Sequence, residues 1–343
     1  MPGKYFFITI FCTLLLWISQ SVNIYGQDPV FSQYYTAPLQ TNPAFAGNTL
    51  LPRIGVHYRN QWPNLPNAYA TYMVSYDQFV PALNSGFGLV AMADVAGDGI
   101  YKTQSIAGIY SYRVEFGDEL YAKIGLEGAY LQRSLDWNRL VFYDQLDPST
   151  GPVDPNGNPN PSGELPPEDL VTGNVDFSAG LLLYSPSFYA GFSLNHLNTP
   201  DESFIGVNNN LYFGLPMRMS AMAGYQFNID NNLEGETFLS PNVLYTRQGQ
   251  FSQINAGFYG QLGVVFAGLW YRHTSVNPDA VIGLAGLQYG VLKMGYSYDL
   301  TVSSAAGFGG AHEISLILNF DRSESAQNRR RGSRYSDCLK MFK

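Results

Sequence analysis

Apolar and polar residues alternate with a period of two through most of the chain. From Lys293 to Asp299, Met294, Tyr296 and Tyr298 fall on one face and Lys293, Gly295, Ser297 and Asp299 on the other. From Arg218 to Phe227, Met219, Ala221, Ala223, Tyr225 and Phe227 oppose Arg218, Ser220, Met222, Gly224 and Gln226. Such alternation is that of a strand with one greasy face, and a soluble sheet shows it too. Many segments of about ten residues, split by polar turns, instead form the pattern of a closed barrel with lipid outside and water or a plug inside. The predicted fold is all-β, a transmembrane antiparallel β-barrel spanning 49–321. Fourteen strands are expected near 53–60, 68–76, 86–94, 102–113, 121–133, 173–184, 188–195, 218–227, 237–246, 251–260, 263–272, 281–288, 292–299 and 311–320. Fourteen is even, as single-chain bacterial outer-membrane barrels are. Met294, Tyr296 and Tyr298 are assigned to the lipid face.

Connection lengths add an orientation. The longest, 134–172 and 196–217, follow odd-numbered strands, and the short ones at 185–187, 261–262 and 289–291 follow even-numbered strands. With short turns periplasmic and long loops outside, both ends of the barrel lie on the periplasmic side. The connections 77–85 and 228–236 exceed tight turns and blur that parity.

Composition supports a membrane address. The chain has 25 Tyr, 22 Phe and 35 Gly, and only 13% of its residues are charged. Soluble domains carry roughly a quarter charged residues, so little material is left for an ordinary wet surface. At the start, Lys4 precedes an apolar run from Tyr5 to Ile18, followed by polar residues and the small Gly26. The pattern predicts a signal peptide over 1–26, with Gln27 opening the mature chain. A membrane helix is the alternative, but the run is short for a ~20-residue span. Cys12 leaves with the signal peptide, and Cys338 alone forms no intramolecular disulfide.

Charge is uneven. Residues 27–321 hold 11 Lys and Arg against 25 Asp and Glu, a net of −14, whereas 322–343 hold 7 basic and 2 acidic residues, a net of +5. Two readings follow for 322–343: a frayed basic tail, or a periplasmic tail whose Arg329, Arg330, Arg331 and Arg334 meet an acidic partner or lipid headgroups. These arginines have no aromatic platforms beside them, so no nucleic-acid partner is expected.

Candidate chemistry is thin. His57, His196, His273 and His312 fall in no metal-ligand motif, and neither a G-x-S-x-G elbow nor a phosphate loop is present. The expectation is a protein with no catalytic residues and no cofactor. The Pro- and Gly-rich stretch 134–172 reads as an excursion. Asp144, Asp147, Asp154, Glu164, Glu168 and Asp169 there could offer oxygens to calcium, but without the regular calcium-loop spacing.

Ahead of the first strand, 27–48 joins rings to prolines: D-P-V-F-S-Q-Y-Y at Asp28–Tyr35, Pro38, and N-P-A-F-A-G at Asn42–Gly47. Such a stretch is no solvent tether. It predicts a plug-like or rim-capping segment in which Phe31, Tyr34, Tyr35 and Phe45 grip the barrel and cap exposed strand ends or narrow the channel. A short additional strand at 30–36 is the competing reading.

These pieces, with Tyr58–Pro63, Ser75–Asp77, Gly295–Asp299 and Ala311–Ile314, resemble the Bacteroidetes type IX secretion outer-membrane family PorP/SprF. The resemblance covers essentially the whole mature chain. It implies a noncatalytic outer-membrane component that works with the type IX secretion machinery. It also implies support for secretion or surface anchoring of a cargo protein, such as a gliding adhesin, and in some members a periplasmic peptidoglycan-associated partner. Members often finish on a Cys-Pro-Arg-Phe-like sequence, whereas this chain reads Cys338-Leu339-Lys340-Met341-Phe342-Lys343. A passive outer-membrane solute channel or transporter is the alternative function.

Overall fold

The computed structural model describes residues 28–65, 69–117, 119–167, 169–201, 203–204, 214–229, 237–275, 279–303, 307, 309–322 and 342. Its strands are β1 (Arg53–Gln61), β2 (Tyr69–Val80), β3 (Ser85–Ala96), β4 (Tyr101–Phe116), β5 (Leu120–Leu135), β6 (Val171–Tyr184) and β7 (Phe188–Asn195). They continue as β8 (Arg218–Tyr225), β9 (Thr237–Gln248), β10 (Phe251–Leu262), β11 (Val265–Thr274), β12 (Ala280–Tyr289), β13 (Leu292–Thr301) and β14 (Ala311–Asn319). Each pairs antiparallel with its neighbour in sequence. The sheet closes where β1 meets β14, from Arg53 opposite Asn319 to Gln61 opposite Ala311. Phe227–Asn228 continues β8 along the same flank of β9 after a break at Gln226, which keeps the count at fourteen. The break coincides with Pro241 of β9, which has no N–H to give the ladder. The Ser240 hydroxyl there donates to the Tyr225 carbonyl at 2.8 Å.

Closure is what lipid demands, because an open edge would leave backbone groups unpaired in hydrocarbon. Among the described residues no helix is long and apolar enough to cross a membrane. The outer face is apolar, with Val74, Leu89, Ile106, Leu126 and Leu269 among its exposed side chains. The inner face of the same strands buries Arg59, Lys123, Arg133, Arg272, Lys293, Asp299 and Glu313. Met294 and Tyr296 point outward from β13, and Tyr298 is half-buried on the same face beside His312, with ring centroids 4.9 Å apart.

The turns after β2, β4, β6, β10 and β12 are short, while the chain between β5 and β6 runs from 136 to 170. The expected long connection at 77–85 shrinks to 81–84. Val80 still pairs with Ser85, and a 3-10 turn at Pro81–Leu83 reverses the chain. The exception at 228–236 falls almost wholly outside the described residues. In the 136–170 loop three carboxylates accept from backbone N–H groups of the loop itself. Asp144 accepts from the Gly163 N–H at 2.6 Å, Asp147 from Ser149 at 2.7 Å, and Asp154 from Asn156 and Asn158 at 2.8 Å each.

Candidate functional site: the occupied lumen

Residues 28–48 thread the lumen from the long-loop side toward the short-turn side, where the chain turns into β1. Phe31, Tyr34, Tyr35 and Phe45 are all fully buried. No added strand forms at 30–36. The path consists of turns, a one-turn helix at Pro38–Thr41 and a 3-10 turn at Pro43–Phe45. The prolines account for this, since Pro38 and Pro43 each open a helical turn, where a missing N–H costs nothing.

The aromatic residues find aromatic partners. Tyr35 stacks on Trp270 of β11 with centroids 5.3 Å apart and planes 9° apart, and touches Tyr259 of β10 at 5.1 Å. Phe31 lies 5.6 Å from the His57 ring, and Phe45 lies 6.4 Å from Tyr189 of β7. The Tyr34 and Tyr35 rings are held chiefly by this packing, and the Tyr34 hydroxyl lies against Trp270 and Tyr189.

Polar contacts, which the composition of 27–48 did not advertise, fix its register. Ser32 and Gln33 donate their backbone N–H groups to the two oxygens of Glu313, at 2.7 and 2.9 Å. The Ser32 hydroxyl donates to Asp299 at 2.6 Å, and the Gln33 amide bridges Ser297 and Ser315 at 3.0 and 2.7 Å. Arg59 pairs with both Asp299 and Glu313, and Arg272 reaches Asp299 at 3.0 Å. Two guanidiniums and two carboxylates are thus buried together and mutually neutralised, the arrangement that makes buried charge tolerable.

A second ion cluster holds the beginning of the segment. The Asp28 carboxylate lies 2.7 Å from His196 Nε2 and 2.9 Å from Arg218, and Asp176 takes the other ring nitrogen of His196 at 2.9 Å. Burial alone would raise the Asp28 carboxyl, but His196 and Arg218 outweigh it and hold it well below the usual carboxylate range. Burial would lower His196, yet Asp28 and Asp176 raise it to about 9. A polar cavity of about 370 Å³ lies beside Asp28 and Arg59, reaching Trp62 and Tyr69 near the long-loop rim.

Toward the short-turn side the fit is steric. The Asn42 side chain accepts from the Ala44 N–H at 2.8 Å and donates to the Leu181 and Phe192 carbonyls at 2.9 and 3.2 Å. Glycines let the segment's backbone approach the wall there. A Cβ on Gly125 would come 2.3 Å from the Ala44 nitrogen, and one on Gly180 would come 2.0 Å from Asn42 Oδ1. Lys123 donates to the Ala46 and Gly47 carbonyls, and Ser111 donates to the Ala46 carbonyl at 2.7 Å. Asp77 accepts from the Gly47 and Asn48 N–H groups at 3.0 and 3.3 Å while pairing with Arg53.

Motifs that are scattered in the sequence therefore meet in the lumen. D-P-V-F-S-Q-Y-Y meets Arg59, Asp299 and Glu313, and N-P-A-F-A-G meets Asp77. The model of the family described as "Type IX secretion system membrane protein PorP/SprF" matches residues 23–318. The chain belongs to the PorP/SprF family.

Members of PorP/SprF are components of type IX secretion, and the barrel places this one in the outer membrane. No curated protein matches the sequence. Solved structures with a similar build include the outer membrane protein Omp33 of Acinetobacter baumannii, at 7% identity and a TM-score of 0.42 over 80% of this chain and 100% of that one. The toluene transporter TodX of Pseudomonas putida is 9% identical, with a TM-score of 0.46 over 87% and 98% of the two chains. At such values neither neighbour bears on function.

Arg329, Arg330, Arg331 and Arg334 lie outside the described residues. Within 322–343, read from the sequence as lying beyond the barrel, Phe342 is described and sits inside the lumen. Its ring is 4.6 Å from Phe45 and 4.8 Å from Tyr189. Sequence reasoning also missed Ser32, Gln33 and Asn42. Their signal was indirect: in a chain so poor in charge, Arg59, Arg272, Asp299 and Glu313 all occupy lumen-facing strand positions and needed partners there.

Proposed function

We propose that this barrel supports the secretion or surface anchoring of a specific cargo protein, of the kind of a gliding adhesin, without catalysing a reaction. The supporting observation is the occupied lumen. Residues 28–48 run along the inside wall and are bonded to β1, β2, β4, β5, β7, β8, β13 and β14. A passive solute channel works through an open bore, and here an ordered segment lies across it. In this reading the segment engages cargo or closes the barrel. The 136–170 loop faces outside the cell and recognises a partner or covers the mouth, and Arg329, Arg330, Arg331 and Arg334 meet a periplasmic, peptidoglycan-associated protein. Met294, Tyr296 and Tyr298 face lipid.

The test is F31A/Y34A/Y35A in the native host. Outer-membrane abundance should stay at the wild-type level while cargo secretion or surface retention is lost. A rise in solute conductance with cargo display intact would favour closure of a channel. Normal conductance together with normal display would sink both roles. An epitope placed near Gly157 should be detected on intact cells, and detection only after permeabilisation would reverse the orientation.

A further inference from the structure

Phe342 is the one described residue beyond Arg322, and it is as deeply buried as the core of the lumen segment. It fills a defined seat. The Phe45 ring lies 4.6 Å from it at a tilt of 35°, and the Tyr189 ring meets it edge-on at 4.8 Å and 87°. Its carbonyl accepts from Arg53, whose guanidinium is held by Asp77 at 2.8 Å. The seat therefore combines an apolar slot for one aromatic side chain with a fixed donor for the adjoining backbone, the usual means of reading a short peptide.

Phe342 reaches this seat at the end of nineteen intervening residues, 323–341. Binding within one chain is favoured by effective concentrations in the millimolar range, so the chain's own Phe342 competes well against a peptide offered from solution. The charges favour the same occupant, since Phe342 lies between Lys340 and Lys343 in a segment of net +5, while 27–321 carry net −14.

We propose that the short-turn mouth of the lumen is a binding site for a peptide presenting one aromatic residue flanked by basic ones. The chain's own Phe342 fills it, and a periplasmic protein carrying the same kind of sequence competes for it. The identity of that partner compartment rests on the orientation given above; the binding site does not. Because Phe342 packs on Phe45, occupancy also braces the lumen segment from below.

The probe is a fluorescein-labelled peptide of residues 334–343, followed by fluorescence anisotropy with the full chain in detergent. Deleting residues 340–343 should raise affinity for the added peptide at least tenfold over the intact chain. In the deleted protein, a Phe342→Ala peptide should bind at least tenfold more weakly, and Tyr189→Ala in the barrel should lower affinity for the unaltered peptide similarly. A scrambled peptide that keeps one Phe between two Lys should retain most of the affinity. Heat-modifiable mobility on gels confirms that each barrel is folded. Equal binding to intact and deleted barrels, no binding to a folded deleted barrel, or indifference to Phe342→Ala would each overturn the site. Failure of cargo secretion assays would leave these results unchanged.

Discussion

The two ends of the lumen segment are held by different physics. At Asp28–Gln33 the grip is ionic: carboxylates, guanidiniums and an imidazole, buried or nearly so and neutralised in place. At Asn42–Asn48 the grip is fit: backbone laid against a wall whose glycines leave no room for a side chain, with Asn42 and Lys123 taking up the polar groups. An ionic grip can be loosened by charge or pH, whereas a steric one tolerates no added atom. The long-loop half is therefore the half that responds to charge and pH, and the short-turn half fixes the segment where it enters β1.

That contrast can be broken in order of expected effect. Glu313→Ala removes the acceptor for two backbone N–H groups and strips Arg59 of one of its two buried partners. Leaving a buried charge without its partner costs about 3–5 kcal/mol. Denaturant midpoints should fall accordingly, and the segment should become open to protease from the long-loop side. A midpoint at the wild-type value would show that Ser32 and Gln33 are not held by this carboxylate.

Gly125→Val should come next. Overfilling a packed interior costs about 1–3 kcal/mol, and here the obstacle is backbone rather than a yielding side chain. The barrel should still assemble, because the strand ladders are untouched, while Asn42–Gly47 shifts off the wall. Cysteine labelling at Ala44 reads this, expected to be fast in the variant and slow in the parent. Slow labelling in both would mean that the glycine wall does not set the path.

The smallest effect is on pH. His196 faces Asp28 and Asp176 with Arg218 beside them, and Glu127 and Arg133 lie in the same luminal region. Its folded value of about 9 lies above the ordinary 6.5, so its contribution is complete below about pH 6.5 and is lost as pH rises through about 9. Arg218 still holds Asp28 above that pH, so protease access near Asp28 should increase only modestly between pH 7 and 10. Arg218→Gln should enlarge the increase. A loss of protection on acidification from pH 7 to 6 would contradict the sign.

Much of the barrel was legible because a strand writes its two faces into the sequence directly. Lys293–Asp299 and Arg218–Phe227 show the observed faces residue by residue. Rings and prolines drew attention to Phe31, Tyr34, Tyr35 and Phe45 but not to their partners, and the roles of these four in cargo engagement or closure are proposals. Those partners were not legible, since Ser32 meets Glu313 and Asp299 across some 270 residues and no periodicity encodes such a contact. The turn at 81–84 was hidden because Gln78–Val80 continue the strand with mixed polarity. Phe342 was hidden by the basic residues around it, which suggest solvent.

Closure of the lumen is the proposed role of residues 28–48 most directly open to measurement. Single-channel conductance in planar bilayers tests it most directly, comparing the intact protein with a variant lacking 28–40, the half held largely by ions. The intact barrel should show little or no current and the variant a stable open level several times larger. Equal conductance from two folded proteins would contradict the account.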